Sequence, residues 1–278
     1  MPLSTHLVLF LAPLTAVSVG AFIARQSGVS LLAFLPNAIG LFLGNALLMR
    51  SSSIASFTRR NLRIVPTIAV FLIASSLLSP GVESVHRWIS IGSFALNLSM
   101  ALVPIVLFGL VYGSEIESMA LTAGLSLIFV LQPDAGQATA FASSAAVIFL
   151  SEGAMRSTAR WRGFLLVVIS WAIAWSRPDP LPPVEHVERI LRLGFAQGLL
   201  SSFACLLAVL CVLLPILWLR FQSSKPKLRV LSLSYFVYLF VSFAVTEIGN
   251  FPVPVIGAGA TSVIGWYLMV VLAQKTYD

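Results

Sequence analysis

Long apolar runs alternate with short polar connections from one end of this chain to the other. A membrane span needs about 20 apolar residues, or somewhat fewer where the bilayer thins. By that measure the pattern predicts ten spans, near residues 6–24, 30–49, 64–79, 93–113, 117–131, 136–151, 162–176, 188–219, 229–248 and 257–274. The eighth run is long enough to begin as an interfacial helix outside the bilayer. The expected fold is an all-α polytopic bundle forming one transmembrane domain over residues 1–278. Met1 to Gly20 lacks a basic start and a cleavage site, so it reads as a retained first span and not as a signal peptide.

The charged positions orient these spans. With the N-terminus inside, the cytoplasmic connections hold Arg50, Arg59, Arg60, Arg63, Arg156, Arg160, Arg162, Arg220, Lys225, Lys227, Arg229 and Lys275. The outer side keeps Arg25, Arg87, Arg177, Arg189 and Arg192. Basic residues concentrate on the cytoplasmic side of membrane proteins, so ten spans with both termini cytoplasmic satisfy the pattern. A nine-span reading would place the two most basic stretches on opposite sides.

Composition agrees. The chain has 278 residues, 58% of them hydrophobic and 10% charged, against about a quarter charged in soluble domains. Its formal net charge of +7 follows from the loop asymmetry and implies no nucleic-acid partner. Cys205 and Cys211 share one apolar run and are spaced for neither a redox motif nor a metal site. No nucleotide-binding motif or internal repeat is present. Chemistry is therefore expected in the few polar groups at the membrane edge.

The most unusual stretch is Phe251-Pro-Val-Pro-Val-Ile-Gly-Ala-Gly-Ala-Thr-Ser262. Its prolines fix φ and its glycines open φ > 0, so it predicts a shaped re-entry into the bilayer. Gln132-Pro133-Asp134-Ala135-Gly136 reads locally as a tight turn with Asp134 capping the next helix. Alternatively, Gln132 and Asp134 line a polar cavity, since a carboxylate at membrane depth is costly. Around Glu185, His186 and Glu188, the pairs Glu185/Arg189 and Glu188/Arg192 stand at i, i+4 and suit a salt-bridged helix end. The same cluster could instead supply a general base with an arginine clamp for phosphate. Arg87-Trp88 has the local reading of an interfacial anchor.

Taken together and in order, these pieces resemble the SEDS family, the FtsW/RodA/SpoVE group of ten-span peptidoglycan polymerases. Arg87-Trp88-Ile89-Ser90-Ile91-Gly92 is similar to its R-W-I-x-L-G stretch, and Gln132-Pro133-Asp134-Ala135-Gly136 matches its Q-P-D-x-G. Ile248-Gly249 and the stretch from Pro252 to Ser262 resemble its N-I-G and proline-glycine-serine signatures. The resemblance covers residues from about 60 to 274. It implies a glycosyltransferase of the bacterial inner membrane acting on an undecaprenyl-pyrophosphate-linked sugar of the lipid II type, beside a transpeptidase-like membrane partner. Pro183-Val-Glu-His186-Val-Glu188 aligns with the family's P-x-x-H-T-D, which places Glu188 on the catalytic acid. Arg87, Gln132, Asp134, His186, Arg189, Arg192 and Ser262 then become the substrate-binding candidates. No protein-held metal is implied, although a divalent cation or the arginines would have to neutralise the departing pyrophosphate.

This chain also departs from the family. Asn97-Leu98-Ser99-Met100 stands where the family has Q-P-S-E, so a carboxylate is missing. Ala196-Gln197 replaces an acidic pair, Glu replaces the catalytic Asp, and the loop before the eighth span is short. Two other readings stay open: a non-catalytic scaffold subunit that kept the fold, and a transporter of lipid-linked sugar or ions that uses Asp134 and Glu247.

Overall fold

A computed structural model describes residues 3–83, 85–92, 94–151, 157–177 and 179–274; Arg156 and Lys275 fall outside them. Helices fill all ten expected windows. These are α1 (Leu3–Gln26), α2 (Leu35–Met49, led by a 3-10 turn at Leu31–Phe34), α4 (Ile64–Ala74, extended by a 3-10 turn at Ser75–Leu78), α5 (Leu98–Tyr112), α6 (Glu115–Leu131), α7 (Ala135–Leu150), α8 (Ser157–Trp175), α11 (Leu199–Gln222), α12 (Pro226–Val245) and α13 (Ala260–Ala273). The protein is an all-α polytopic membrane bundle of about ten spans.

Three features differ from the expected pattern. Residues 51–60, read as a connection, form α3 (Ser51–Arg60), which bends by 95° into the element that follows. The fourth run does not start as helix, because Ile89–Ile91 (β1) and Phe94–Leu96 (β2) pair as an antiparallel hairpin in front of α5. The eighth run is broken into α9 (Glu185–Glu188), α10 (Ile190–Ala196) and α11. Gly198 at φ 110° turns the chain into α11, the part long and apolar enough to cross the membrane. A residue at that φ other than glycine would carry backbone strain.

The centre of the bundle is α13. Every residue of it except Ile264 is buried, and it packs on α2, α5, α11 and α12. Water does not drive helix association inside a membrane, so small residues and interhelical hydrogen bonds carry it. Gly40 and Gly44 of α2 are one such pair. A Cβ on Gly44 would lie 2.0 Å from the Tyr267 ring, and one on Gly40 would lie 2.9 Å from the Ala260 carbonyl oxygen. Pro104 inside α5 removes the amide that would bond the Met100 carbonyl four residues earlier. Gly265 of α13 closes on that oxygen so tightly that a Cβ would sit 2.0 Å away. Trp266 anchors the same helix by donating to the Val212 carbonyl of α11 (2.8 Å). Helices α7 and α12 are joined by Ser234 donating to the Ser144 carbonyl (3.1 Å) and by the Tyr238 hydroxyl donating to Gln137 Oε1 (2.6 Å).

Candidate functional site

At the end of the bundle where α13 begins, residues 251–259 form an irregular loop that a few backbone contacts hold in place. The Val253 and Ala258 amides donate to the carbonyls of Val187 (2.9 Å) and His186 (3.0 Å). The loop is thereby stitched to the single helical turn that carries Glu188. Asn37, wholly buried on α2, binds its far side: Nδ2 donates to Gly257 O (2.9 Å) and Val255 O (3.3 Å), and Oδ1 accepts from Gly259 N (2.8 Å). Ser262 Oγ accepts from Val255 N (3.1 Å). Val255 holds φ 64°, a strained value for a β-branched residue that persists only where its surroundings over-determine it.

This loop, the Glu188 turn, Trp88, β2 and the start of α5 enclose a cavity of about 190 Å³. That is below the roughly 300 Å³ at which ordinary small-molecule sites begin, so it suits one ring or headgroup and not a chain. Glu188 is the only ionisable residue among its lining residues, and Asn97, Thr261 and Ser262 add neutral polar groups. Glu188 is 7% exposed. Burial pushes its carboxyl up to about 7, against the pull of the Val184 N–H that donates to Oε2 at 2.8 Å. Asn97 caps α5 by accepting from Ser99 N (3.0 Å). Met100, standing where the resemblance called for an acid, leaves the cavity with one carboxylate. No three His, Cys, Asp or Glu side chains cluster as metal ligands among the described residues.

The remaining candidates do not line this cavity. Arg87 is no surface anchor: it is 1% exposed and binds Asp179 (2.7 Å), the Pro133 carbonyl and, at 3.7 Å, Asp134. Its guanidinium lies 5.4 Å from the Phe251 ring centroid. Phe251 in turn presses on Gly136 and Gly249, where a Cβ would come within 2.4 and 2.6 Å of its ring. Separate sequence pieces thus meet around Arg87 and Phe251, which leaves no room for a side chain at Gly136 or Gly249. Asp134 caps α7 by accepting from Gln137 N (3.0 Å). Burial raises its carboxyl, opposed by Arg87 and by that amide. Gln132 donates to Ser76 Oγ (2.6 Å) and Ile73 O (3.3 Å). Asp134 thus fills the capping role of the turn reading, and Gln132 ties the turn to the end of α4.

Of the two expected ion pairs, Glu185–Arg189 forms at 3.5 Å, whereas Glu188–Arg192 does not. Glu188 turns inward, and the break at Arg189 removes the helical register that would have aligned the pair. Arg192 binds Glu247 at 3.2 Å instead. Arg189 also reaches Asn250 Oδ1 at 3.4 Å. His186 contributes its carbonyl to the loop, and burial lowers its imidazole below the ordinary value. Sequence reasoning passed over Asn37; its only signal was an isolated amide within an apolar run, which is costly in a membrane unless it is used.

The chain matches no protein-family model and no curated protein sequence. It does match solved structures over almost its whole length. Against the rod shape determining protein RodA of Thermus thermophilus, identity is 14%, coverage is 95% of this chain and 94% of that one, and the TM-score is 0.70. An aspartate-to-alanine mutant of that protein gives 15% identity, 95% and 94% coverage, and a TM-score of 0.67. The chain has the RodA fold. A chain from a peptidoglycan synthase complex, described for its coordination of polymerization and crosslinking, matches at 15% identity with 95% of each chain covered and a TM-score of 0.67. The expected SEDS architecture is therefore present at a sequence distance where only the fold carries over.

Proposed function

We propose that this protein is a membrane glycosyltransferase that joins lipid-linked sugars in the assembly of a bacterial envelope polymer of the peptidoglycan type, with Glu188 as general base. The observation that carries this reading is a lone buried carboxylate, poised near neutrality, on a cavity shaped by the strained 251–259 loop. A base with a pKa near the working pH combines the ionised form with a useful driving force for proton removal. Glu188 takes the proton from an acceptor hydroxyl. The freed oxygen attacks the anomeric carbon of the second sugar, and the bond to its polyprenyl pyrophosphate breaks. Of the three arginine candidates for the departing charge, Arg189 suits best, because its side chain is 36% exposed and its two contacts are long. Arg87 and Arg192 are held in closer pairs. The cavity admits one ring, so the polyprenyl chains would lie along the lipid-facing helices. A transpeptidase-like membrane partner is part of this reading, as is a cavity facing away from the cytoplasm.

Purified protein incubated with labelled lipid II, with and without a co-purified partner, tests the assignment. Glu188→Gln is expected to abolish polymer formation while leaving the thermal transition cooperative, and Glu185→Gln, on an exposed neighbour, is expected to retain it. Undiminished polymerisation by Glu188→Gln would overturn the assignment. One observation favours the scaffold reading instead: most charged groups near the cavity are spent on internal pairs. Such a scaffold would tolerate Glu188→Gln and fail when lipid-facing side chains are altered. The transport reading loses its two acids, since Asp134 is sealed against Arg87 and Glu247 sits with Arg192 at the surface.

A further inference from the structure

The end of the bundle away from the cavity carries a second built surface, around α3. Helix α2 runs parallel to α13, with Gly40 beside Ala260 and Gly44 beside Tyr267, so α3, which follows α2, lies where α13 ends. It buries Ala55 and Thr58 and packs on α13. Its other face carries Ser52, Ser53, Ser56, Phe57 and Arg60, which line an open groove of about 410 Å³. Ten residues give a helix of about 15 Å, too short to cross a bilayer. The 95° bend turns it away from the direction of α4. Phe57 is 62% exposed beside the polar groups. A short helix with arginine and hydroxyls next to a protruding aromatic has the build of one lying in the headgroup layer.

Charge selects the occupant. Arg59 and Lys227 both lie over the Tyr112 ring, at 4.9 and 5.7 Å, so the start of α12 and the last turn of α3 share one basic end with Arg50, Arg60 and Arg229. The acids at this end among the described residues are Glu115 and Glu117, and Glu117 is taken by Arg63 at 2.6 Å. Surplus positive charge at headgroup depth attracts anionic lipid.

We propose that the α3 groove is a binding site for an anionic phospholipid. The Arg60 guanidinium and the serine hydroxyls hold the phosphate, and Phe57 rests against the upper acyl chain. This site is independent of the glycosyl-transfer reading.

The test is thermal unfolding of the detergent-solubilised protein titrated with phosphatidylglycerol, phosphatidylcholine or inorganic phosphate. Phosphatidylglycerol alone is expected to raise the melting temperature saturably. Arg60→Gln should weaken its apparent affinity about fivefold, the effect of one arginine at a membrane surface, and Ser53→Ala combined with Ser56→Ala should weaken it further. These side chains lie on an open surface, so the lipid-free melting temperature should hold. Arg162→Gln, an exposed charge on α8 outside the groove, should change nothing. An equal response to phosphatidylcholine would mean general lipid solvation, an equal response to inorganic phosphate would mean an anion site without lipid preference, and unchanged affinity in Arg60→Gln would mean the groove is not used. Each of these outcomes overturns the proposal.

Discussion

Replacing Asn37 with leucine, which has the same branched skeleton and the same number of side-chain heavy atoms, removes three hydrogen bonds to the 251–259 loop while leaving the α2 helix apolar and intact. The amide of Gly259 and the carbonyls of Gly257 and Val255 would be stranded in a buried site. An unpaired buried polar group costs roughly 1–3 kcal/mol, so with the 3.3 Å contact at the weak end the expected loss is about 3–5 kcal/mol. Val255 should then leave its strained φ, carrying the cavity wall with it. A displacement of ~1 Å at a reacting centre is worth about 100-fold in rate. The assay pairs denaturant unfolding in detergent with polymer formation from lipid II. Asn45 supplies the control: it lies on the same helix, and its Oδ1 is buried without a partner. Asn45→Leu should be neutral or slightly stabilising, because a stranded acceptor disappears. Equal stability for the two leucine variants would refute the claim that Asn37 holds the loop.

Other perturbations follow from the same contacts. Gly265→Ala should prevent close packing of α5 on α13, because its Cβ meets the Met100 backbone at 2.0 Å; Gly124→Ala, meeting only a Val70 methyl at 3.3 Å, should be tolerated, and expression with melting temperature separates the two. Arg87→Met leaves Asp134 and Asp179 uncompensated and should cost about 3–5 kcal/mol, and adding Asp134→Asn should recover part of that loss in a double-mutant cycle. The Glu188 carboxyl is raised in the folded state from 4.5 to about 7. Its contribution to stability is therefore fully present below about pH 4.5 and lost as pH rises through 7. Glu188→Gln should match wild type at pH 4 and exceed its stability at pH 8, by about 3 kcal/mol at most.

The spans and their order were legible because a bilayer leaves backbone polar groups no partner but their own helix, so apolar length maps onto helices. The 251–262 stretch was legible through its prolines and glycines. What joins the site was harder to read. Asn37 bonds to residues 218–222 positions away, and nothing local marks those partners. Arg87 resembled a surface anchor because the sequence does not show that Asp134 and Asp179 converge on it. The inward turn of Glu188 depends on a helix break at Arg189 that no glycine or proline announces, so continuous i, i+4 spacing suggested a partner it does not have. Helix α3 was hidden by its serines and arginines, which resemble a loop until their spacing is followed around a helix.

The most direct test of the account is the pH dependence of lipid II polymerisation by the purified protein. If Glu188 must be ionised to take the acceptor proton, the rate rises with pH and levels off, with a midpoint near 7, and Glu188→Gln lies flat at background across the range. A wild-type rate unchanged between pH 5.5 and 8.5, or a Glu188→Gln profile that overlays it, would contradict the account.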